Sequence, residues 1–500
     1  MSFIMRPIRF ASTGHIIEGS GLFDGSSGTL ARTPGSAGNV DTYTLEFIFK
    51  LNDAGSIAVN NYLFAAGTAG ANRTIFYVNT ANKLGMLHTS GGATTLGRET
   101  TALLRDPSSY YQVIYVVDTS ESTAADRCKM YLNGTLIEDF SYEVSTIAQN
   151  ANTFVNSTDP QRISRGAASA ANYADVYMAR TTLIDGQALD PTSFGETTDD
   201  GFWSISDVSG LDFGDNGFLL EGGSAISAGT DSSGNSNNFS KTGSIISTSD
   251  SPTNSDDGYG NYCTLDPLNQ CKNTAAATIS NGNLKFGSTS TSTVDSIGST
   301  LLIPETGEWY WEVTYHNPDA NYPMVGISNH LNARSYNDYI PGRAIDPGDG
   351  VSLYAGGLIS YGSNNTKQAY QSPNYTSNGT VVAFHWNSST GVLKSSNDGS
   401  SYTTMRTLTG DGPWMVYIGS GDTNEGTINF GASDFAYTQV SGTATLQTAN
   451  LPEPAIINPA DHFYSEVVTH DGSSTASTCT FNLDTYEWLA IIKNTTGAVE

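Results

Sequence analysis

Glu308 and Glu312 stand four residues apart in the run GEWYWEVTY, residues 307–315. Paired carboxylates are what glycosidic-bond hydrolysis requires: one protonates the leaving oxygen, the other attacks or activates water. Strand alternation puts both on one face, which makes them the nearest thing to a catalytic pair in the chain. A retaining mechanism needs the two groups about 5–5.5 Å apart. Glu308 lies at the start of the expected strand, and no E-x-D-x-x-E pattern occurs elsewhere. HExxH, Walker A, GxSxG and GxGxxG are absent as well. The seven histidines, His15, His88, His316, His330, His385, His462 and His470, are scattered without metal-ligand spacing. The expectation is a protein that is not an enzyme, with a glycan-degrading enzyme as the alternative.

Oxygen ligands for calcium are offered by the turn Asp231 to Asn238, with Asp231 and Asn235 as the candidate ligands, and by Asp250 to Asp257. Neither stretch matches an EF-hand loop, and Asp-Ser-Ser-Gly-Asn is also an ordinary turn sequence. No cofactor is expected, calcium at Asp231 and Asn235 being the one option left open. Cys128, Cys263, Cys271 and Cys479 form no CxxC pair, so a zinc site is not expected. Cys263 and Cys271 are near enough in sequence to be bridged, but buried free thiols are the favoured reading.

Binding chemistry is better represented. Tyr336 and Tyr339 lie in ARSYNDYIPG, and Tyr370 and Tyr375 in KQAYQSPNYTSNG. Tyrosine and asparagine on framed loops suit recognition of a glycan or a protein. The competing reading is that these rings pack under their own loops. The net charge is −27, from 22 basic and 49 acidic residues. Such a surface repels phosphate backbones and anionic membranes, and no Lys/Arg cluster counters it, so neither nucleic acid nor membrane is an expected partner. No apolar stretch is long enough for a membrane-spanning helix.

The elements that must position these residues read as strands. Only 14% of the residues are charged, Gly numbers 52, and 26 Tyr and 20 Phe are available for cores. Short aromatic and β-branched runs between turn formers imply an all-β chain. TYTLEFIFKL at 42–51 alternates Tyr43, Leu45, Phe47 and Phe49 against Thr44, Glu46, Ile48 and Lys50. YYQVIYVVD at 110–118 is a second strong strand, and CKMYLNGTLI at 128–137 a hairpin turning at Asn133-Gly134. ADVYMARTTLIDGQAL at 174–189 closes this block. Residues 221–271 hold few apolar residues and read as a linker or surface excursion. Further strands follow at 307–315, 351–362, 380–387 and 413–421, then a Pro-rich joint at 450–463. Tandem antiparallel β-sandwiches account for this order, with neither solenoid repeats nor sustained heptads.

Residues 272–445 resemble a SPRY (B30.2-like) domain. GEWYWEVTY is similar to that family's opening G-x-x-Y-W-E-V strand, and VGIS at 325–328 to its next core strand. DGVSLYAGG at 349–357, TVVAFHWNSSTGVLKSSNDG at 380–399 and TINFG at 427–431 follow in the family's order. Val351, His385-Trp386-Asn387 and Ser396 depart from its usual residues. The resemblance implies a structural role for Glu312 and ligand docking on loops at one rim. Residues 21–220 resemble a laminin-G-like, concanavalin A-type jelly roll, on FDGSSGTLARTP, TLEFIFKL, the LNG hairpin and DVYMARTTLIDGQALDPTSFGE. With DSPTNSDDGYGNYCTLDPLN at 250–269 and NLPEPAIINPADHF, nearly the whole chain is similar to large virion proteins of marine tailed phages. The resemblance speaks to architecture more than to chemistry. It implies a tail fibre or surface appendage that contributes to host adsorption, made in the host cytoplasm and placed on the virion. A capsid-decorating or adaptor protein is the other structural alternative.

The ends carry separate expectations. MSFIMRPIRF has Arg6 and Arg9 interrupting any apolar core, so it is not a signal peptide. Its Phe3, Ile4, Met5, Ile8 and Phe10, beside the two cations, fit a segment of residues 1–20 that docks to another virion protein. FYSEVVTH, STCTFNL and EWLAIIKN within 455–500 read as three strands of a further β module, with Phe481, Trp488, Leu489, Ile491 and Ile492 in need of a sheet partner. This part of 446–500 is expected to be completed by a neighbouring copy or by more chain. A homotrimer is expected, because symmetric bundling multiplies attachment.

Overall fold

The computed structural model describes residues 14–52, 57–167, 171–198, 201–271, 277–288, 295–319, 322–329, 349–361, 366–370, 375–421 and 424–452. Nearly all of these belong to one compact unit formed by residues up to 196 and by residues 203–452. Among the described residues the fold is all-β, 48% strand and 4% helical. The strand pairings within the four large sheets are antiparallel, and these sheets build two sandwiches.

In the first sandwich one sheet runs Thr135–Leu136, Cys128–Leu132, Tyr110–Asp118, Thr42–Leu51, Asp175–Asp185, Ser20–Asp24, Ile246–Thr248, with Phe218–Glu221 also pairing on Asp175–Asp185. The facing sheet runs Phe140–Ser145, Ala93–Thr100, Leu84–Ser90, Asn72–Val78, Asn61–Ala69, Gln161–Ile163, Thr29–Arg32, Ser240–Thr242. Tyr43, Leu45, Phe47 and Phe49 point into the core between the sheets, as alternation requires. The hairpin after Cys128–Leu132 turns at Asn133 and Gly134, at φ 47° and 74°, the left-handed pair that a two-residue turn demands. A Cβ on Gly134 would also lie 2.3 Å from the Trp203 ring.

In the second sandwich one sheet runs Leu265–Cys271, Asp295–Ile303, Trp414–Ser420, Met324–Asn329, Gly350–Tyr354, Leu358–Tyr361, Thr366–Ala369. The other runs Ala277–Ser280, Lys285–Ser288, Glu425–Asn429, Glu308–His316, Val381–Asn387, Val392–Ser396, Thr403–Thr407. Trp309, Trp311, Val313, Tyr315, Phe384 and Trp386 fill the space between them. Trp311 and Phe384 stack with centroids 5.5 Å apart and planes 5° from parallel.

The stretch 221–271, expected as a linker or excursion, is folded. It holds the helix Gly222–Ala228, and its strands Ser240–Thr242 and Ile246–Thr248 sit on the edges of the two sheets of the first sandwich. Asp231 organises the turn that follows the helix. Its Oδ1 accepts from the Leu219 and Ser233 N–H groups, and its Oδ2 from the Asn237 N–H and the Ser233 hydroxyl. Asn235 donates through Nδ2 to the Gly214 and Gly217 carbonyls. Polar side chains binding backbone hold this segment where apolar residues are scarce.

The second departure concerns the polar face of Thr42–Leu51. Thr44, Glu46 and Ile48 are 0% exposed and Lys50 1%, so this strand is buried on both faces. Two apolar clusters cover its outer side, one containing Ile17, Ile48, Tyr110, Tyr177 and Ile205, the other Ile114, Ile184, Phe194, Val208 and Phe213. The two sandwiches meet beside the first cluster. There the Tyr177 hydroxyl donates to the Gly282 carbonyl at 2.9 Å, and the Ser249 N–H to the Ala432 carbonyl at 2.9 Å. Gly282 has φ 68°, and a Cβ there would stand 2.3 Å from the Tyr177 hydroxyl, so both backbone shape and space call for glycine. The expected segments 1–10 and 455–500 lie outside the described residues.

Candidate functional site

The strand Glu308–His316 sends Trp309, Trp311, Val313 and Tyr315 inward and leaves Glu308, Tyr310 and Glu312 on the outer face of its sheet. Glu312 is 3% exposed. Its Oε1 accepts from the Tyr310 hydroxyl at 2.7 Å and the Tyr437 N–H at 3.0 Å, and its Oε2 from the Ala436 N–H at 2.7 Å. The carboxylate thus straps residues 435–437 across the sheet. Phe435 packs edge-on against Tyr310 with centroids 4.8 Å apart, and the Tyr437 hydroxyl donates to the Asn397 carbonyl at 2.7 Å. Burial raises the Tyr310 phenol, and the bond to the Glu312 carboxylate raises it further.

Glu308 is also engaged. Its Oε2 lies 2.5 Å from His385 Nε2, and its Oε1 accepts from Asn387 Nδ2 at 2.8 Å. His385 in turn meets the Tyr402 ring edge-on, with centroids 6.2 Å apart. Four residues along a strand span about 13 Å at the usual rise per residue. Sharing a face therefore does not bring Glu308 and Glu312 within the separation that a glycosidase pair needs. Each carboxylate is tied instead to donors of its own chain.

The loop tyrosines divide. Tyr336 and Tyr339 lie outside the described residues. Tyr370 is half-buried, and its hydroxyl donates to the Thr403 carbonyl at 2.5 Å and stands 3.1 Å from Ser395 Oγ. Tyr375 is 0% exposed and belongs to the core, its ring edge-on to Tyr315. Expected as a ligand contact, Tyr375 is therefore a packing residue: its N–H donates to the Ala355 carbonyl, and its ring lies in the core of the second sandwich. Burial pushes its phenol up to about 12. At the candidate calcium site the Asp231 carboxylate accepts four donors from its own chain, and Asn235 uses its amide N–H groups on two carbonyls. Among the described residues, no group of three or more His, Cys, Asp and Glu side chains is placed to hold a metal ion. Cys128 and Cys263 are free and buried, with burial pushing their thiols up to about 12 and about 11.

No family model matches the chain. No curated protein matches it either. Solved structures do show similarity. The SPRY domain of human HERC1 is 13% identical over 33% of this chain and 96% of that one, with a TM-score of 0.27. The TRIM65 PSpry domain is 10% identical over 34% of this chain and 92% of that one, at 0.25. The heptameric SAP-like pentraxin from Limulus polyphemus is 14% identical over 35% of this chain and 80% of that one, at 0.26.

Two charged clusters went unnoticed in the sequence. On the outer face of the first sandwich's sheet, Arg180 binds Glu46, Glu221 and the Ser206 carbonyl. Glu221 also reaches His15 Nε2 at 2.7 Å and raises that imidazole above 6.5, against a smaller opposing effect of burial. Nearby, Lys50 Nζ lies 2.5 Å from Asp250 Oδ2 and 2.9 Å from Asn261 Oδ1. The Tyr110 hydroxyl donates to Asp250 Oδ1 at 2.7 Å, and the Tyr177 and Tyr110 rings flank the amine at 4.6 and 5.3 Å. Alternation had already put Glu46 and Lys50 on one face. The missing signal was their charged partners, Arg180 and Asp250, which come from more than 130 residues further along the chain.

Proposed function

We propose that this chain is a non-enzymatic binding and structural protein whose two sandwiches form a stiff carrier for recognition loops. The observation that carries this reading is the fate of Glu308 and Glu312. Both carboxylates are consumed as ties within the second sandwich and are spaced too widely for paired acid–base work on one bond. The buried contacts between the sandwiches, Tyr177 to Gly282 and Ser249 to Ala432, support the stiff-carrier part. Together with the sequence resemblance to phage virion proteins, the reading extends to a tail fibre or surface appendage that contributes to host adsorption, docked through the segment from Phe3 to Phe10 and assembled as a homotrimer. The purified chain, added in excess, then competes with whole particles for host cells. Absence of the chain from purified particles, or release of sugar from host-surface glycan by the purified chain, overturns the reading.

A further inference from the structure

We propose that Lys50 and Asn261 become joined by an amide bond inside the folded chain, with Asp250 receiving the proton that the reaction releases. The three groups are already assembled. The Lys50 amine is 1% exposed, 2.9 Å from the Asn261 side-chain oxygen and 2.5 Å from Asp250 Oδ2. The Asn261 Nδ2 donates to the Ser108 carbonyl, which keeps its carbonyl end turned to Lys50. The pairing of Asp250 with Gly260, and of the Ser251 N–H with the Gly260 carbonyl, closes the intervening loop and sets Asp250 beside Asn261. The walls are the Tyr110 and Tyr177 rings.

The step balances within these residues. The Lys50 ammonium passes one proton to the Asp250 carboxylate, leaving a neutral amine. Nζ attacks Cγ of Asn261, forming the Nζ–Cγ bond and moving the carbonyl π pair onto Oδ1. Asp250 then relays a proton to Nδ2. The Cγ–Nδ2 bond breaks, its electron pair leaves with nitrogen as ammonia, and the carbonyl reforms. The second proton of the former amine returns to Asp250. The net change is one primary amide converted to a secondary amide, one ammonia lost, and the ammonium and carboxylate charges both discharged, with no oxidation or reduction and no outside reactant.

Two physical terms favour the step. Fixed contact between amine and amide replaces a bimolecular encounter by an intramolecular one, and the aromatic walls keep out water that would solvate the ammonium. The buried ion pair is itself costly, and the reaction replaces it with a neutral amide beside a neutral acid. Burial already raises the Asp250 carboxyl, chiefly against the charge of Lys50. Once Lys50 is an amide that opposition is gone, so the protonated product is favoured. The bond ties the strand Thr42–Leu51 of the first sandwich to the residue that leads into the second, whose backbone N–H is held by Thr448 Oγ1 at 2.9 Å.

Intact mass of the denatured full chain reads the result directly. The expected value is lighter than the sequence mass by one ammonia, and protease digestion yields a branched peptide holding both Lys50 and Asn261. Lys50→Arg and Asn261→Ala each restore the sequence mass. An unmodified wild-type mass overturns the proposal. So does loss of one water, which places the bond on Asp250, or an ammonia loss that survives Lys50→Arg. The branched peptide is read on the wild-type chain, so its presence or absence is decisive whether or not either variant folds.

Discussion

Arg180 grips Glu46 as a fork, with Nη2 2.6 Å from Oε1 and Nε 3.0 Å from Oε2, and neither side chain is exposed at all. Gln112 Nε2 adds a third donor to Oε1 at 2.6 Å. Removing one partner of such a pair strands the other charge in the interior, at a cost of about 3–5 kcal/mol. Glu46→Leu and Arg180→Met are each expected to lose that much in urea unfolding. The double variant is expected to lose far less than the two together, because neither of the two fully buried charges remains and Glu221, 19% exposed, keeps its bond to His15. Additive losses would show that the pair is not coupled.

His88 makes the fold sensitive to acid. Its Nδ1 lies 2.9 Å from Thr74 Oγ1, and that oxygen already accepts the Phe154 N–H at 3.1 Å. Burial lowers the imidazole from 6.5 to about 4. Between these values the unfolded chain binds the extra proton, so stability falls as pH drops from about 6.5 to about 4. A shift of this size corresponds to on the order of 3 kcal/mol. His88→Gln is expected to flatten that part of the stability–pH curve, and an unchanged slope counts against the assignment.

His15 acts in the opposite direction. Its bond to Glu221 raises its imidazole above 6.5. A raised base stabilises the fold fully below its unfolded value and loses that contribution as pH rises through the folded value. The difference in unfolding free energy between the wild type and His15→Ala is thus expected to shrink as pH is raised above about 6.5. A difference that stays constant or grows over this range would be inconsistent with the ion pair.

The fold class was legible because the strands carry strong local signals. YYQVIYVVD at 110–118 is a strand over those very residues, and Asn133-Gly134 turns as the dipeptide requires. What the sequence concealed depends on distant cover. Glu46 and Lys50 sit in an alternating strand and read as its solvent face, but Phe194 and Ser206 bind Arg180 over Glu46, and Asp250 and Asn261 lie over Lys50. Local periodicity says which residues share a face, never what packs on it. The same limit misread residues 221–271. Scarce apolar residues suggested a linker, whereas Asp231 and Asn237 fold the segment through hydrogen bonds that leave no periodic trace.

Asp231 also yields a prediction about metal. Four donors from the chain already fill its carboxylate, so calcium would have to displace them. Millimolar calcium is expected to leave the unfolding temperature unchanged, since only a ligand that binds the folded state raises it. Asp231→Ala is expected to cost about 1–3 kcal/mol, because the Leu219, Ser233 and Asn237 N–H groups lose their acceptor. A rise in unfolding temperature with calcium that disappears in Asp231→Ala would instead make this turn a metal site.

Glu312 separates a structural carboxylate from a catalytic one most sharply. Glu312→Gln preserves shape but replaces one acceptor oxygen with an NH2 group. That group must face either the Ala436 N–H or the Tyr437 N–H and Tyr310 hydroxyl, setting donor against donor. Charge-assisted bonds to buried groups contribute about 1.5–3 kcal/mol each. Glu312→Gln is therefore expected to destabilise the second sandwich and to loosen residues 435–437, seen as faster hydrogen exchange at Ala436 and Tyr437. Glu308→Gln is expected to cost less, since Glu308 is 39% exposed and water can replace its partners. Neither change is expected to alter glycan degradation by particles that carry the chain. A folded Glu308→Gln protein whose particles lose such activity would make this face catalytic and displace the binding role proposed for the chain.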